Sequence, residues 1–402
     1  MPEVADVFRQ FADSYLQAHG ATMLPSHRRA IADIVACRTE ALGGQQWACA
    51  DCGSLIHVFH SCRNRACPKC HGPQTQAWLD RRRAEMLPVP YFHVTVTVPE
   101  ELRAILRRHQ KAGYGALIKL TAGAIVDLAR NPRWLGGTPG VLAVLHTWTQ
   151  RLIFHPHVHC LVTGGGLADD GTLWKAAADT FLFPKSALAR VVRARFRDAL
   201  AELCPHLEVP QHVWRIPWVV HIAPWGHGEQ AVLDYLARYV FRIAITNNRI
   251  LAVDADTVTW RYTDRATRRQ RRETVSGHEF MRRFLQHVLP TGFHKVRYYG
   301  LWHPARRHQL DNLRNLLLLQ QPTTAAQSTL AEPAANNDKP PDPRRCPHCQ
   351  SRHLTLLGRL SPARPQGPCT CRPSPSNSSP HSRRSPSRPI PAARPRQGQN
   401  SR

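Results

Sequence analysis

The spacing of apolar positions changes several times along the chain. Val4, Val7, Phe8, Phe11 and Tyr15 recur at helical spacing, and Ile31, Ile34 and Val35 repeat the pattern. Two helices are predicted over 1–36, with Ser26 capping the second. A further helix is predicted over 74–88, with Trp78, Leu79, Met86 and Leu87, ended by Pro88 and Pro90. The period then shortens. Tyr91 to Val98 alternates with β-branched residues dominating, which predicts a strand. A helical stretch covers 101–130, with Arg103, Arg107, Arg108 and Lys111 on its exposed positions. After a loop marked by Asn131-Pro132 and Gly136-Gly137, two apolar strands follow closely, 141–148 and 155–162. Their short separation predicts an antiparallel pair. Leu188, Val191, Val192, Phe196 and Leu200 form the apolar face of a basic helix over 184–203. A strand over 213–222, a turn over 224–228 and a helix starting near Glu229 come next. A hairpin over 250–262 and a helix carrying Phe280, Phe284, Val288 and Leu289 close the patterned region. From about 320 the pattern is lost among Pro, Ser and Arg, and this tail is expected to be disordered. The fold class is α+β.

Charge adds a partner. Lys and Arg number 54 against 28 Asp and Glu, a net charge of +26. Such an excess implies a polyanion, and nucleic acid is the default. No run of about 18 apolar residues occurs, so no bilayer span and no membrane partner is expected. The acidic N-terminus lacks a signal-peptide pattern, and a cytoplasmic location is expected. Six of the 12 cysteines sit in C-x2-C pairs among basic residues, which points to metal rather than disulfides.

The cysteine spacing is specific. Cys49 and Cys52, then fourteen residues, then Cys67 and Cys70 match one ribbon-type zinc site. Gly53 after the first pair suits the positive φ of such a turn. Cys37, His57, His60, Cys62 and His71 are left over, with Cys37 and Cys62 as possible extra ligands. Arg63 and Arg65, between ligands, are expected to meet phosphates. So are Arg193 and Arg197 of the basic helix and Arg268 and Arg269 of the run 265–272. Trp260, Tyr262, Tyr298, Tyr299 and Trp302 can stack on bases, with core packing as the alternative for each. Cys346 and Cys349 form a lone knuckle in the tail, with Cys369 and Cys371 at poor spacing.

The sharpest signal is His155-Pro156-His157-Val158-His159. On a strand these imidazoles share a face and can hold one divalent ion; the plain reading is a core strand with satisfied histidines. His146, on the preceding strand, can reach the same face if the two strands pair. Downstream, Tyr235 and Tyr239 stand at i and i+4 on one helical face. Alone they read as packing. Beside a metal that polarises a phosphate, a phenol becomes a nucleophile toward phosphorus.

Together these residues resemble the two-tyrosine HUH transposases of the insertion-sequence ninety-one type. The resemblance is carried by Cys37-Arg38-Thr39, Ser61-Cys62-Arg63-Asn64-Arg65, Cys67-Pro68-Lys69-Cys70, Tyr91-Phe92-His93, His146-Thr147-Trp148, His155 to Cys160, Tyr235-Leu236-Ala237-Arg238-Tyr239 and Thr291-Gly292-Phe293-His294. It covers about residues 1–310. It implies that His157 and His159 are metal ligands and that Tyr235 and Tyr239 are nucleophiles. It also implies a third ligand, His146 by the relaxase arrangement, with His155 and Glu229 as alternatives. The expected ions are Mg²⁺ or Mn²⁺ at the catalytic site and Zn²⁺ in the N-terminal module. The expected partner is single-stranded DNA at element ends and targets, with no small-molecule substrate. The implied organisation is a helical segment 1–36, a zinc module 37–88, an HUH catalytic domain 89–310 and a tail 320–402. A non-catalytic zinc-dependent DNA-binding protein, and a replication initiator or relaxase with the same chemistry, are the rival readings.

Overall fold

The computed structural model describes residues 1–70, 86–240, 243–264, 266–306, 308–319 and 345–363. The helix predicted over 74–88 lies outside them, except for Met86, Leu87 and Pro88. The chain opens with α1 (Val4–His19) and α2 (Pro25–Ala36). Pro25 takes the first turn of α2, where its missing N–H costs nothing, so Leu24 rather than Ser26 is the cap. A hairpin of β1 (Gly44–Cys49) and β2 (Leu55–Phe59) follows.

Alternation then builds the main sheet. Its strands begin with β3 (Pro90–Thr97). The predicted helix over 101–130 is two, α3 (Glu101–Arg108) and α4 (Gln110–Arg130), broken where His109 leaves helical geometry at φ −112° and ψ 48°. Next come β4 (Gly140–Trp148), β5 (Phe154–Thr163), the short pair β6 (Gly165–Leu167) and β7 (Trp174–Ala176), and α5 (Lys185–Leu203). β8 (Val219–His227) starts later than predicted and runs through the expected turn, so that α6 (Gly228–Tyr235) springs directly from the strand end. The predicted hairpin becomes three strands, β9 (Ile250–Val253), β10 (Thr257–Thr263) and β11 (Gln270–Ser276). They lead into α7 (Gly277–Leu285), β12 (Val296–Gly300) and α8 (His308–Leu319).

The main sheet has the order β12-β4-β5-β3-β8, every pair antiparallel. Side chains alternate across it. Val94, Val96, Ala143, Leu145, Val158, Cys160 and Val162 face α3, α4 and α5 and form the largest core. Tyr91, Leu142, Val144 and Leu161 face the other way, onto α6 and α8. α4 is long and apolar enough by length and composition to cross a bilayer, but half of it is buried in the first core.

A second body packs α1 and α2 against the sheet β11-β10-β9 and α7, with Phe8, Ile31, Ile34, Trp260, Phe280 and Phe284 in its core. The N-terminal helices therefore share a core with residues 244–288, which the expected division had assigned to the catalytic domain. The tail also differs from expectation. β13 (Leu354–Leu360) pairs with β1 and completes a small sheet of order β13-β1-β2.

Candidate active site

The register of β4 on β5 sets the site. His146 lies directly opposite His157, and His159 follows two residues on. Period-2 alternation therefore turns all three imidazoles to the face that carries α6. Their ligand-type nitrogens lie within 4.8 Å of one another, and the rings are 3%, 5% and 8% exposed. His155 is half-buried and stands outside this group, as does Glu229 in the first turn of α6. Two of the rings are held from behind. His157 Nδ1 donates to the His155 carbonyl oxygen at 2.7 Å. His159 Nδ1 lies 2.9 Å from His93 Nε2 and 3.0 Å from Thr95 Oγ1. Engaging Nδ1 in this way leaves Nε2 of each ring as the lone pair for a cation.

α6 ends in a wider π turn, Leu236–Val240, immediately after Tyr235. Such turns recur at functional sites. The turn sets the two phenol rings 4.9 Å apart between centroids. Tyr239 is half-buried, with its ring 4.3 Å from His159 and 6.1 Å from His146. Its backbone oxygen accepts from His146 Nε2 at 2.6 Å, which ties the turn to the histidines. Tyr235 is fully buried, and that burial raises its phenol well above the ordinary value.

Three further residues belong to this environment. His93 lies 4.6 Å from Tyr239, ring to ring. Thr95 is paired across the strands with His159. Trp225, at the end of β8, packs on both tyrosines at 5.8 and 5.5 Å, and its Nε1 donates to the Ala231 carbonyl. The alternation of β3 marks His93 and Thr95 as sharing a face; only the β3–β5 register shows that the face is this one.

The cysteines divide differently from the single site expected. Cys67 and Cys70 join Cys37 and Cys62, with sulfur separations of 3.4 Å (Cys37–Cys70), 3.6 Å (Cys62–Cys70) and 3.7 Å (Cys37–Cys67). Cys49 and Cys52 lie elsewhere, with Cys346 and Cys349. The reason is the hairpin. Cys37 and Cys62 flank its base, where Gly43 and His60 are hydrogen-bonded, whereas Cys49 and Cys52 occupy its tip. A six-residue strand separates tip and base by about 20 Å, too far for one ion. Cys37, Cys67 and Cys70 are buried in the second body's core.

The arginines divide as well. Arg65 donates to the carbonyl oxygens of Leu289 at 2.9 Å, Pro290 at 2.6 Å and Phe293, so it ties the cysteine loop to the protein instead of reaching outward. Arg193 donates to the carbonyls of Arg215 and Ile216 and joins α5 to the segment before β8. Arg197 is paired with Asp198. Arg63 is exposed and lines a cleft of about 510 Å³ with Arg29, Trp148 and Lys295. Burial, with Arg65 adding to it, holds the Lys295 ammonium down to about 8. Trp148 stacks on His146 at 4.5 Å, so this cleft borders the histidine group. Arg268 and Arg269 are exposed on the β10–β11 turn, which Asp264 fixes by accepting from the backbone of Ala266 and Thr267. Trp260 and Trp302 are buried in cores and are not available to bases.

Comparison with known proteins gives the family. A family described as "Putative transposase" matches residues 140–309, and one described as "Transposase zinc-binding domain" matches residues 7–98. The chain is 39% identical over 381 residues to "Putative transposase y4qJ" of Sinorhizobium fredii (strain NBRC 101917 / NGR234), covering 89% of this chain and 95% of that protein. It is 28% identical over 290 residues to "Transposase for insertion sequence element IS801" of Pseudomonas savastanoi pv. phaseolicola, covering 67% of this chain and 68% of that one. No solved structure matches the chain. The N-terminal module is thus a zinc-binding one, and DNA is the partner. With both family matches and a relative aligned over nearly its whole length, the chain belongs to the transposases of the insertion-sequence ninety-one family.

Proposed function

We propose that this transposase nicks and rejoins single-stranded DNA at element ends through 5′-phosphotyrosine intermediates, in rolling-circle-like transposition. The observation that carries the reading is the convergence of His146, His157 and His159 with the Tyr239 ring on one face of the sheet. The donor set fits a divalent cation: three imidazoles, two of them fixed through Nδ1, with positions left for water and phosphate oxygens. Mg²⁺ or Mn²⁺ bound there would polarise the scissile phosphate as a Lewis acid. The Tyr239 oxygen attacks phosphorus and the bond to the 3′ oxygen breaks. The phenol's proton passes to water and the departing 3′ oxygen takes one up from water to become a hydroxyl, so the protons balance. Attack of a 3′-hydroxyl on the phosphotyrosine reverses these steps and reseals a strand. The bond energy is conserved throughout, so no external energy source is needed.

Two tyrosines allow two such attachments in relay. Tyr239 lies nearer the histidines and is less buried, so it acts first. Tyr235 needs the π turn to move before its high-pKa phenol reaches a phosphate. Among the described residues, Arg63, Arg268 and Arg269 are exposed cations that can meet the phosphate backbone.

The test uses labelled single strands bearing the element's end sequence, with Mn²⁺ or Mg²⁺, and counts covalent adducts on denaturing gels. Tyr239→Phe should abolish the first adduct. Tyr235→Phe should retain it and lose the subsequent strand transfer. His157→Ala should reduce adduct formation by about 10³-fold or more. An adduct that survives in the Tyr235→Phe/Tyr239→Phe chain, or no adduct from the wild type, sinks the reading.

A further inference from the structure

The second cysteine group joins two distant parts of the chain. Cys49 and Cys52 sit at the tip of the β1–β2 hairpin. Cys346 and Cys349 sit on the turn that precedes β13. Cys49 Sγ lies 3.5 Å from Cys349 Sγ, and Cys52 Sγ lies 3.6 Å from Cys346 Sγ. All four sulfurs fall within 4.8 Å of one another, and none is in a disulfide. Four thiolates around a tetrahedral zinc stand about 3.8 Å apart, given Zn–S bonds of about 2.3 Å.

The two turns repeat one another. Gly53 N–H donates to the Cys49 carbonyl at 2.9 Å, and Gln350 N–H donates to the Cys346 carbonyl at 2.9 Å. Cys49 N–H donates to the Ser54 carbonyl at 3.0 Å, and Cys346 N–H to the Ser351 carbonyl at 2.7 Å. The residue after each second cysteine is left-handed, with φ 68° at Gly53 and 61° at Gln350. Glutamine rarely adopts that conformation. Its presence there reproduces the geometry that presents two sulfurs from one turn.

The backbone around the group is paired. β13 runs against β1 from Gly44↔Leu360 to Cys49↔Leu354. Ala50 N–H donates to the His353 carbonyl at 2.9 Å, and Ala363 N–H to the Glu40 carbonyl at 3.2 Å. This sheet has little core of its own. Leu55, Val58, Leu356 and Leu357 are all exposed. A three-stranded sheet so poor in buried apolar surface needs another source of stability, and a structural metal is the usual one at this size.

We propose that Cys49, Cys52, Cys346 and Cys349 hold one Zn²⁺, distinct from the Cys37, Cys62, Cys67 and Cys70 group, and that residues 345–363 are the second half of a zinc ribbon begun by the N-terminal hairpin. Cys346 and Cys349 lie outside both family matches. The ribbon is complete only when both ends of the catalytic body have been made. The site does not depend on the reading of the tyrosines, because its test is a metal count.

Zinc is measured per chain in purified full-length protein. Two ions are expected in the wild type and one in Cys346→Ser/Cys349→Ser. A single ion in the wild type, or equal counts in the two proteins, overturns the proposal. Should the double variant lose both ions, Cys349→His decides, because it keeps a ligand at that position. Two ions in Cys349→His, with the cobalt-substituted form showing three sulfurs and one nitrogen at the altered site, uphold the proposal. A count no higher than that of Cys349→Ser overturns it.

Discussion

The histidine group and the tail-closed cysteine group are both sets of potential metal donors, yet the chain builds them by opposite means. His146, His157 and His159 come from one antiparallel hairpin, and strand alternation and register place them together. Cys49 and Cys349 are 300 residues apart, and nothing local relates them. The first arrangement inherits its rigidity from a five-stranded sheet packed on both faces. The second sits on a sheet with exposed leucines and depends on its metal. Donors that must be pre-organised for chemistry are thus carried by the best-packed strands. Donors that join segments distant in sequence are carried by a sheet with little core.

If this contrast is right, the two cysteine groups differ in what their loss does. Cys67 is fully buried in a core with Phe8, Ile31 and Ile34. Cys67→Ser should cost on the order of 5 kcal/mol or more, since it removes a structural metal from inside that core. Cys349→Ser should leave the main urea transition within about 1 kcal/mol of wild type, because only the ribbon loosens. Tryptophan fluorescence during urea unfolding reads both, and equal losses would erase the distinction.

A buried histidine outside the metal group sharpens the contrast from the other side. His287 lies behind β4, 3.2 Å from Thr147 Oγ1 through Nδ1, and its Nε2 lies 3.2 Å from the Leu152 carbonyl oxygen. Burial lowers its pKa from 6.5 to about 4. Between those values the unfolded chain takes up a proton that the folded chain refuses. The stability His287 contributes is therefore full above pH 6.5 and is lost as pH falls toward 4, by up to about 3 kcal/mol. Thiolate protonation also destabilises over this range, so the measurement is a difference. His287→Gln should flatten the pH dependence of unfolding relative to wild type; parallel curves would mean that this imidazole titrates freely in the fold.

How much could be read beforehand follows the same division. The histidine strand, its partner and the tyrosine helix were legible because each depends on a short period. In the sequence His93 is only part of a motif, since its place beside His159 depends on the β3–β5 register. The cysteine assignment failed because C-x2-C spacing does not say which way the intervening strand runs, and β2 runs away from the first pair. Arg65 and Arg193, expected to meet phosphates, donate to backbone carbonyls, because a basic loop or helix does not reveal which carbonyls its guanidinium groups will meet. The strand over 354–360 was lost in the tail's composition, although Leu354, Leu356, Leu357 and Leu360 directly follow a C-x2-C pair.

His93 tests whether the proposed catalytic group depends on its backing as closely as the geometry suggests. Its Nε2 lies 2.9 Å from His159 Nδ1, and its ring packs on Tyr239. His93→Ala frees one ligand ring to rotate and removes a wall from the tyrosine. Such outer contacts are typically worth 10- to 100-fold in metal affinity or activity. A loss of about that size is expected in Mn²⁺ affinity, read by titration calorimetry, with His93→Gln recovering part of it. An unchanged affinity would make His93 a packing residue only.

The smallest effect falls on the ribbon, at Gly43. Its φ of 66° with ψ of −171° belongs to a region used almost only by glycine. A Cβ there would lie 2.5 Å from the Leu360 carbonyl oxygen, at the end of the strand that closes the sheet, and 2.8 Å from the backbone nitrogen of Pro362, two residues beyond it. Gly43→Ala should therefore cost about 1–3 kcal/mol in local strain and push β13 away from β1. Gly53 is the matched control: its φ is 68°, but no atom lies within 4 Å of a Cβ placed there. Both alanines sit at positive φ, and only the one at position 43 also carries the collision. Zinc release to a chromogenic chelator separates the two. One of two ions should leave roughly 10-fold faster from Gly43→Ala than from Gly53→Ala, which corresponds to about 1.4 kcal/mol of extra destabilisation. If the two variants release zinc at the same rate, β13 is not what holds that ion, and the contrast between a site borne by one sheet and a site joining distant segments fails at its weakest joint.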